Sequence, residues 1–98
     1  MTEDEEVEAI VIANVDPRKL NSAATALLQF DEIRKIYVTT GESNLTIEIT
    51  TKTLKSFHEF LTSKVSKIEG LSVASSNMVT QTIKSEDKTM SRFDPRQL

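Results

Sequence analysis

The chain has 98 residues, a formal net charge of −3, one histidine and no cysteine. That length fits one domain, and so short a chain buries a modest fraction of its surface, so association that covers leftover apolar surface is expected. The composition excludes a disulfide framework, a thiolate or multi-histidine metal site and a cysteine nucleophile, offers no apolar run near the ~20 residues of a membrane helix, and lacks the clustered Lys and Arg that neutralise nucleic-acid phosphates.

Met1 to Glu6 carries four acidic residues, the opposite of a signal or transit peptide, and reads as a solvated arm on a cytoplasmic protein. Val7 to Val15 is rich in β-branched residues, with Val7, Ala9, Val11, Ala13 and Val15 on one face and Ile10 and Ile12 on the other. Apolar residues on both faces predict a central strand covered on both sides. The helices of one small domain cover one face, and the other face awaits a partner subunit. Asp16-Pro17 is a helix start, a capping acceptor followed by proline at the first helical position. Leu20, Ala23, Ala24, Leu27 and Leu28 then form the apolar stripe of a helix.

Ile33 to Thr40 reads as a second strand, with Ile36 and Val38 on one face and Lys35, Tyr37 and Thr39 on the other. Gly41-Glu42-Ser43 turns the chain into a third strand, Asn44 to Thr51, with Leu45, Ile47 and Ile49 inward. Two alternating runs joined by a short, polar, glycine-bearing turn are a β-hairpin signal. Its polar outer face predicts a position near the sheet edge or beside a wet cavity. Thr51 or Thr53 caps a second helix with a stripe of Leu54, Phe57, Leu61, Val65 and Ile68, widened by Phe60 and closed by Gly70. Leu71 to Lys84 reads as a long fourth strand. Val73, Ser75, Asn77, Val79, Gln81 and Ile83 share one face, and Ser72, Ala74, Ser76 and Met78 the other. Such length predicts a bulge or an extension onto a partner. Residues 85–98 read as a tail, with an arm docked through Met90, Phe93 and Leu98 as the alternative.

The order β-α-β-β-α-β predicts an α+β, ferredoxin-like domain over residues 7–84: a four-stranded antiparallel sheet with both helices on one face. The first and fourth strands are expected adjacent to, or near, the centre. The helix-free face, with its isoleucines, is expected to pair sheet-to-sheet into a dimer. Enzymes of this topology find little support. An acylphosphatase needs a glycine-rich phosphate loop with an arginine after the first strand, and Asn14-Val15-Asp16-Pro17-Arg18 has the arginine without the glycines. A dimeric α+β-barrel enzyme needs a buried acid, base or haem ligand, and no such set stands out. His58 reads as a surface residue, and Lys35 with Glu48 as a cross-strand pair. No enzymatic activity and no cofactor are expected; a small barrel enzyme and a purely structural assembly module are the alternatives.

Several segments carry a family resemblance. They are Ile10 to Val15 with Asp16-Pro17, Ile36 to Leu45, Leu54 to Leu61, and Ile68-Glu69-Gly70-Leu71 leading into Ser75-Ser76-Asn77-Met78-Val79. In this order and spacing the chain resembles the ligand-binding (RAM) domain of the Lrp/AsnC transcription regulators. The resemblance implies homo-oligomers, dimers that join into rings such as octamers, and a small effector, usually an amino acid, held in clefts between dimers near the turn after the second strand. The family pattern there is Thr-Gly-x-x-Asp. Thr40, Gly41, Glu42 and Ser43 fit it, while Asn44 stands where the aspartate is usual. An amino acid offers an ammonium, which seeks a carboxylate, and a carboxylate, which seeks backbone N–H groups. Gly41 allows close approach to the backbone; Asn44 cannot neutralise an ammonium, whereas Glu42 can. The candidate ligand residues are thus Thr40, Gly41, Glu42, Ser43 and Asn44, with Ser75 and Ser76 expected to line the same cleft. Full-length regulators place a helix-turn-helix domain ahead of this module. Only six residues precede the first strand here, so the expectation is a stand-alone module acting through protein partners, a full-length regulator among them, with no direct contact to nucleic acid or membrane.

Overall fold

A computed structural model describes residues 6–86. The acidic arm before Glu6 and the proposed docking residues Met90, Phe93 and Leu98 lie outside the described residues. Strand β1 (Val7–Val15) leads through a 3-10 turn (Pro17–Lys19) into α1 (Leu20–Leu28). The hairpin strands β2 (Ile33–Val38) and β3 (Leu45–Thr51) follow, then α2 (Leu54–Ser63), a second 3-10 turn (Val65–Lys67) and β4 (Leu71–Met78). The strands form one antiparallel sheet in the order β2-β3-β1-β4. The ferredoxin-like arrangement is as the sequence predicts. β1 is central, but its second inner neighbour is β3, and β4 lies at the edge.

Alternation decides which face is closed. Ala9, Val11, Ala13 and Val15 of β1 are buried together with Leu45, Ile47 and Ile49 of β3. Ala23 and Leu27 of α1, and Phe57 and Phe60 of α2 with Val65, cover them. The Phe30 and Phe60 rings meet edge-to-face at 5.3 Å, tying the exit of α1 to α2. Ile10 and Ile12 occupy the opposite face and stay half-buried.

Local chemistry sets the helix starts. The Asp16 carboxylate accepts from the Arg18 N–H at 3.0 Å, and Pro17 supplies the fixed φ of a first turn. Thr53, rather than Thr51, caps α2. Its hydroxyl accepts from the Ser56 N–H at 2.9 Å while the Ser56 hydroxyl accepts from the Thr53 N–H at 3.0 Å, a reciprocal capping box.

Three expectations need correction. β4 ends at Met78, not Lys84, although the Val79 N–H still donates to Glu8 O at 2.8 Å. The expected bulge lies inside β4: Ser75 pairs with Ile12 and Val73 with Ala13, so Ala74 is the extra residue. The faces therefore switch there. Val73 and Met78, of opposite parity, both pack against the core, while Ser75 and Asn77 join Ile12 and Ile10 on the open face. Leu28 is 74% exposed and Leu54 50% exposed, because they are the last residue of α1 and the first of α2, beyond the region where those helices cover the sheet. Val38 shares a face with Ile36 as expected, the two pairing with Leu45 and Ile47, and at the end of the edge strand β2 it is 62% exposed.

Two glycines hold positive φ, Gly41 at +114° and Gly70 at +86°. A Cβ at position 41 meets open space, whereas one at position 70 would lie 2.8 Å from the Lys19 Cβ. Gly70→Ala should therefore cost ~2–4 kcal/mol and Gly41→Ala only the backbone strain of ~1–2 kcal/mol. Urea unfolding with an unchanged m-value measures the difference, and equal losses would contradict the packing at Gly70.

Candidate functional site

The last backbone pair of the β1–β3 ladder is Ala13 with Leu45. Beyond it the chain leaves the sheet for the turn, and a side chain takes the ladder's place. Asn44 Nδ2 donates to Val15 O at 2.9 Å, and the Val15 N–H donates to Asn44 Oδ1 at 2.9 Å. The neck of the turn is closed by the Thr39 N–H donating to Asn44 O at 3.0 Å and the Thr39 hydroxyl donating to Ser43 O at 3.1 Å. Thr40, Gly41 and Glu42 are exposed above that neck, and Ser43 and Asn44 are half-buried in it.

The residue after β1 is bonded on the other side, towards β4. The Asp16 N–H donates to Gly70 O at 2.9 Å, joining the end of β1 to the entry of β4. Three connections thus meet at one end of the sheet. Hydrogen bonding from Arg18, first through its side chain and then its backbone, holds the Asp16 carboxyl below its ordinary value. Lys19 and Glu69 form an ion pair; hydrogen bonding raises the ammonium's pKa and lowers the carboxyl's.

Ser75 and Ser76 sit elsewhere. β2 and β4 are opposite edges, three strand spacings or ~14 Å apart. Ser75 is on the open face, where its hydroxyl accepts from Asn77 Nδ2 at 3.3 Å, and that amide also donates to Ile10 O at 3.3 Å. Ser76 pairs with Val11 and so belongs to the helix side. One chain therefore brings Thr40, Gly41, Glu42, Ser43 and Asn44 together and leaves Ser75 and Ser76 apart from them.

Sequence reading missed the Asn44–Val15 pairing. Nothing local signals it, since the partners are 29 residues apart. It also missed a shallow groove of about 360 Å3 at the other end of the sheet, where Glu6, Asp31, Glu32, Arg34 and Lys52 surround Thr50 and Thr51. The Thr51 hydroxyl there is already bonded to Thr53 O. Among the described residues no group of three or more His, Cys, Asp or Glu could hold a metal ion, and no helix is long and apolar enough to cross a membrane. His58 is exposed, with its ring 5.7 Å from that of Phe57.

The depressed carboxyls give a pH dependence. What Asp16 and Glu69 add to stability is present above the unfolded carboxylate pKa and fades as pH falls through their lower folded values. Glu69→Gln should flatten part of the acid limb of a melting-temperature profile between roughly pH 5 and pH 2. Both groups are exposed, so added salt should shrink the effect. An unchanged acid limb would remove Glu69 from this account.

Comparison with known proteins now adds to the geometry. An uncharacterised HTH-type transcriptional regulator of Pyrococcus furiosus is 29% identical over 75 residues, 76% of this chain and 51% of that protein. The chain spans about half the length of the curated relatives it matches. Among solved structures, a hypothetical protein of Pyrococcus horikoshii is 26% identical with a TM-score of 0.70, covering 78% of this chain and 92% of its own. A transcriptional regulator of Neisseria meningitidis, solved as an L-Met complex, has a TM-score of 0.75 at 17% identity, covering 81% of this chain and 53% of its own. The family model described as the Lrp/AsnC ligand binding domain matches residues 8–89, and the chain belongs to that family.

Proposed function

We propose that this domain binds a small metabolite, an amino acid by preference, between subunits of an oligomer in the cytoplasm, and contributes by that binding to the control of transcription. The observation that carries the reading is the exposed Thr40–Ser43 turn, closed at its neck and open around Gly41, in a domain of this family. Gly41 leaves room for a ligand carboxylate to reach backbone N–H groups, and Glu42 is the acidic side chain within reach of an ammonium on the same turn. Two structural neighbours, from Neisseria meningitidis and Mycobacterium tuberculosis, are themselves L-methionine complexes, which makes methionine the first probe.

Pairing of the helix-free faces gives the oligomer. Ile10 and Ile12 form its apolar centre, and Tyr37, Thr46, Glu48, Ser75 and Asn77 its polar surround. Dimers then join at the sheet edges so that the exposed Ser76 of one chain's edge strand β4, beside Ser75 at the rim, approaches the turn of another, the arrangement in which both candidate segments line one cleft. A match to the ligand-binding domain of regulators supports no enzymatic role. A second reading, an assembly module without a ligand, is favoured by one observation: Asn44 is neutral and already bonded to Val15.

Two measurements separate these readings. A thermal-shift screen of the twenty amino acids at millimolar concentration should find one or more that stabilise the fold, by ~2.7 kcal/mol at a hundredfold excess over Kd. No shift with any of them, together with an intact oligomer, selects the structural module. Sedimentation should find a dimer or larger species at micromolar concentration, and Ile12→Lys should dissociate it by burying an unpaired charge. A monomeric wild-type chain would overturn the assembly.

A further inference from the structure

We infer that Asn44 is the positioning residue of the ligand turn and not a contact to the ligand's charge. The inference rests on the ligand reading of that turn for its functional meaning, and on the hydrogen bonds alone for its chemistry. Past the Ala13–Leu45 pair, β1 still presents the N–H and C=O of Val15 towards the place β3 has left. On its other side, β1 pairs Val15 with Leu71 of β4. The carboxamide of Asn44 fills the missing strand position with one acceptor and one donor, each bond 2.9 Å long.

The polarity of this clasp sets what position 44 tolerates. An amide satisfies both Val15 groups. A carboxylate accepts from the N–H but turns its second oxygen, without a proton, onto the Val15 carbonyl oxygen. A protonated carboxyl restores the donor. An alanine leaves both backbone groups unpaired in a half-buried place. Since the clasp fixes the plane of the carboxamide, the turn's response to an ammonium falls to Glu42 at its tip, and Asn44 acts by holding the neck at which Thr39 and Ser43 close the loop.

The titratable and charged groups at this end of the sheet are Asp16 and Arg18 after β1, Glu42 in the turn, and Lys19 and Glu69 beside Gly70. Wild type and variants share them, so they cancel when melting temperatures are compared at one pH. Wild type, Asn44→Asp and Asn44→Ala are melted at neutral pH and at about pH 4, where a carboxyl facing a carbonyl holds its proton. Asn44→Asp should melt about 5 °C or more below wild type at neutral pH and recover at least half of that deficit at the lower pH. Asn44→Ala should keep its deficit at both. Amide hydrogen exchange at Val15 should follow the same pattern, fast in Asn44→Ala and slowed by acid in Asn44→Asp beyond the ordinary pH trend seen in Asn44→Ala. If Asn44→Asp does not fold at neutral pH, folding on acidification supports the clasp, and failure to fold at about pH 4 where Asn44→Ala folds overturns it. A neutral-pH stability equal to wild type, or a deficit that ignores pH, also overturns it. With methionine as the probe, a clasp predicts a smaller ligand shift for Asn44→Asp at neutral pH; a larger one means that position 44 meets the ammonium directly. If wild type shows no methionine shift, the methionine reading fails on its own, and the pH arm still decides the role of Asn44.

Discussion

The constraint on which most of this structure depends is the pair of hydrogen bonds between one side-chain amide and one backbone peptide, Asn44 and Val15. An ordinary intramolecular hydrogen bond contributes only ~1 kcal/mol net, but leaving a buried group unpaired costs more. At Val15 both polar groups are at stake, because the residue is 4% exposed and its strand neighbour has already turned away. The clasp therefore fixes where β3 begins, how the turn closes and where β1 ends. From there Asp16 binds Gly70 and caps the next turn, so the entry to β4 inherits the same geometry. One amide sets three loops.

The two faces of the sheet follow from composition. On the closed face the small Ala9 and Ala13 let the helices approach closely, and the larger Val11, Leu45, Ile47, Phe57 and Leu27 fill the volume between. On the open face two cross-strand rows lie side by side, Tyr37-Thr46-Ile12-Ser75 and Lys35-Glu48-Ile10-Asn77. Each has one isoleucine in the middle and polar groups outside. That is the layout of an interface with an apolar centre and a polar rim. Under the proposed sheet pairing, the two isoleucines are the apolar centre that a matching face would cover.

The fold was readable in the sequence because its elements differ in period. Val7–Val15 is a β-branched run apolar on both faces, Leu45–Thr51 alternates without interruption, and the stripe of Phe57, Phe60 and Leu61 repeats as a helix does and runs on to Val65 in the following 3-10 turn. Reading failed where tertiary placement overrides period. Ala74 is an extra residue, so the alternation of β4 reverses there, and no local signal distinguishes it from a paired one. Leu28 and Leu54 continue their stripes past the edge of what the sheet covers. Thr40 and Gly41 mark the turn, and the family pattern groups Asn44 with them, but the pattern does not show what Asn44 bonds to. Its partner lies across the sheet, and the choice of asparagine over aspartate becomes intelligible only once the Val15 carbonyl is in view. The shallow groove near Thr51 escaped notice for a related reason: its charged residues come from three separate segments.

The division of labour at the turn has a physical logic. A loop that receives a ligand has to be open at its tip, and an open loop is ordered by few contacts of its own. Here the tip, Thr40 to Glu42, has no packing around Gly41, while the neck carries four hydrogen bonds from Thr39, Asn44 and Val15. Under the proposed ligand reading, rigidity is supplied below the turn and accessibility above it. A charged residue at the neck would have to serve both demands, facing a backbone carbonyl on one side and a ligand on the other. A neutral amide answers the first demand, and on the proposed reading the second falls to Glu42. On that account an asparagine at position 44 is compatible with a ligand at the turn, because it satisfies both backbone groups of Val15.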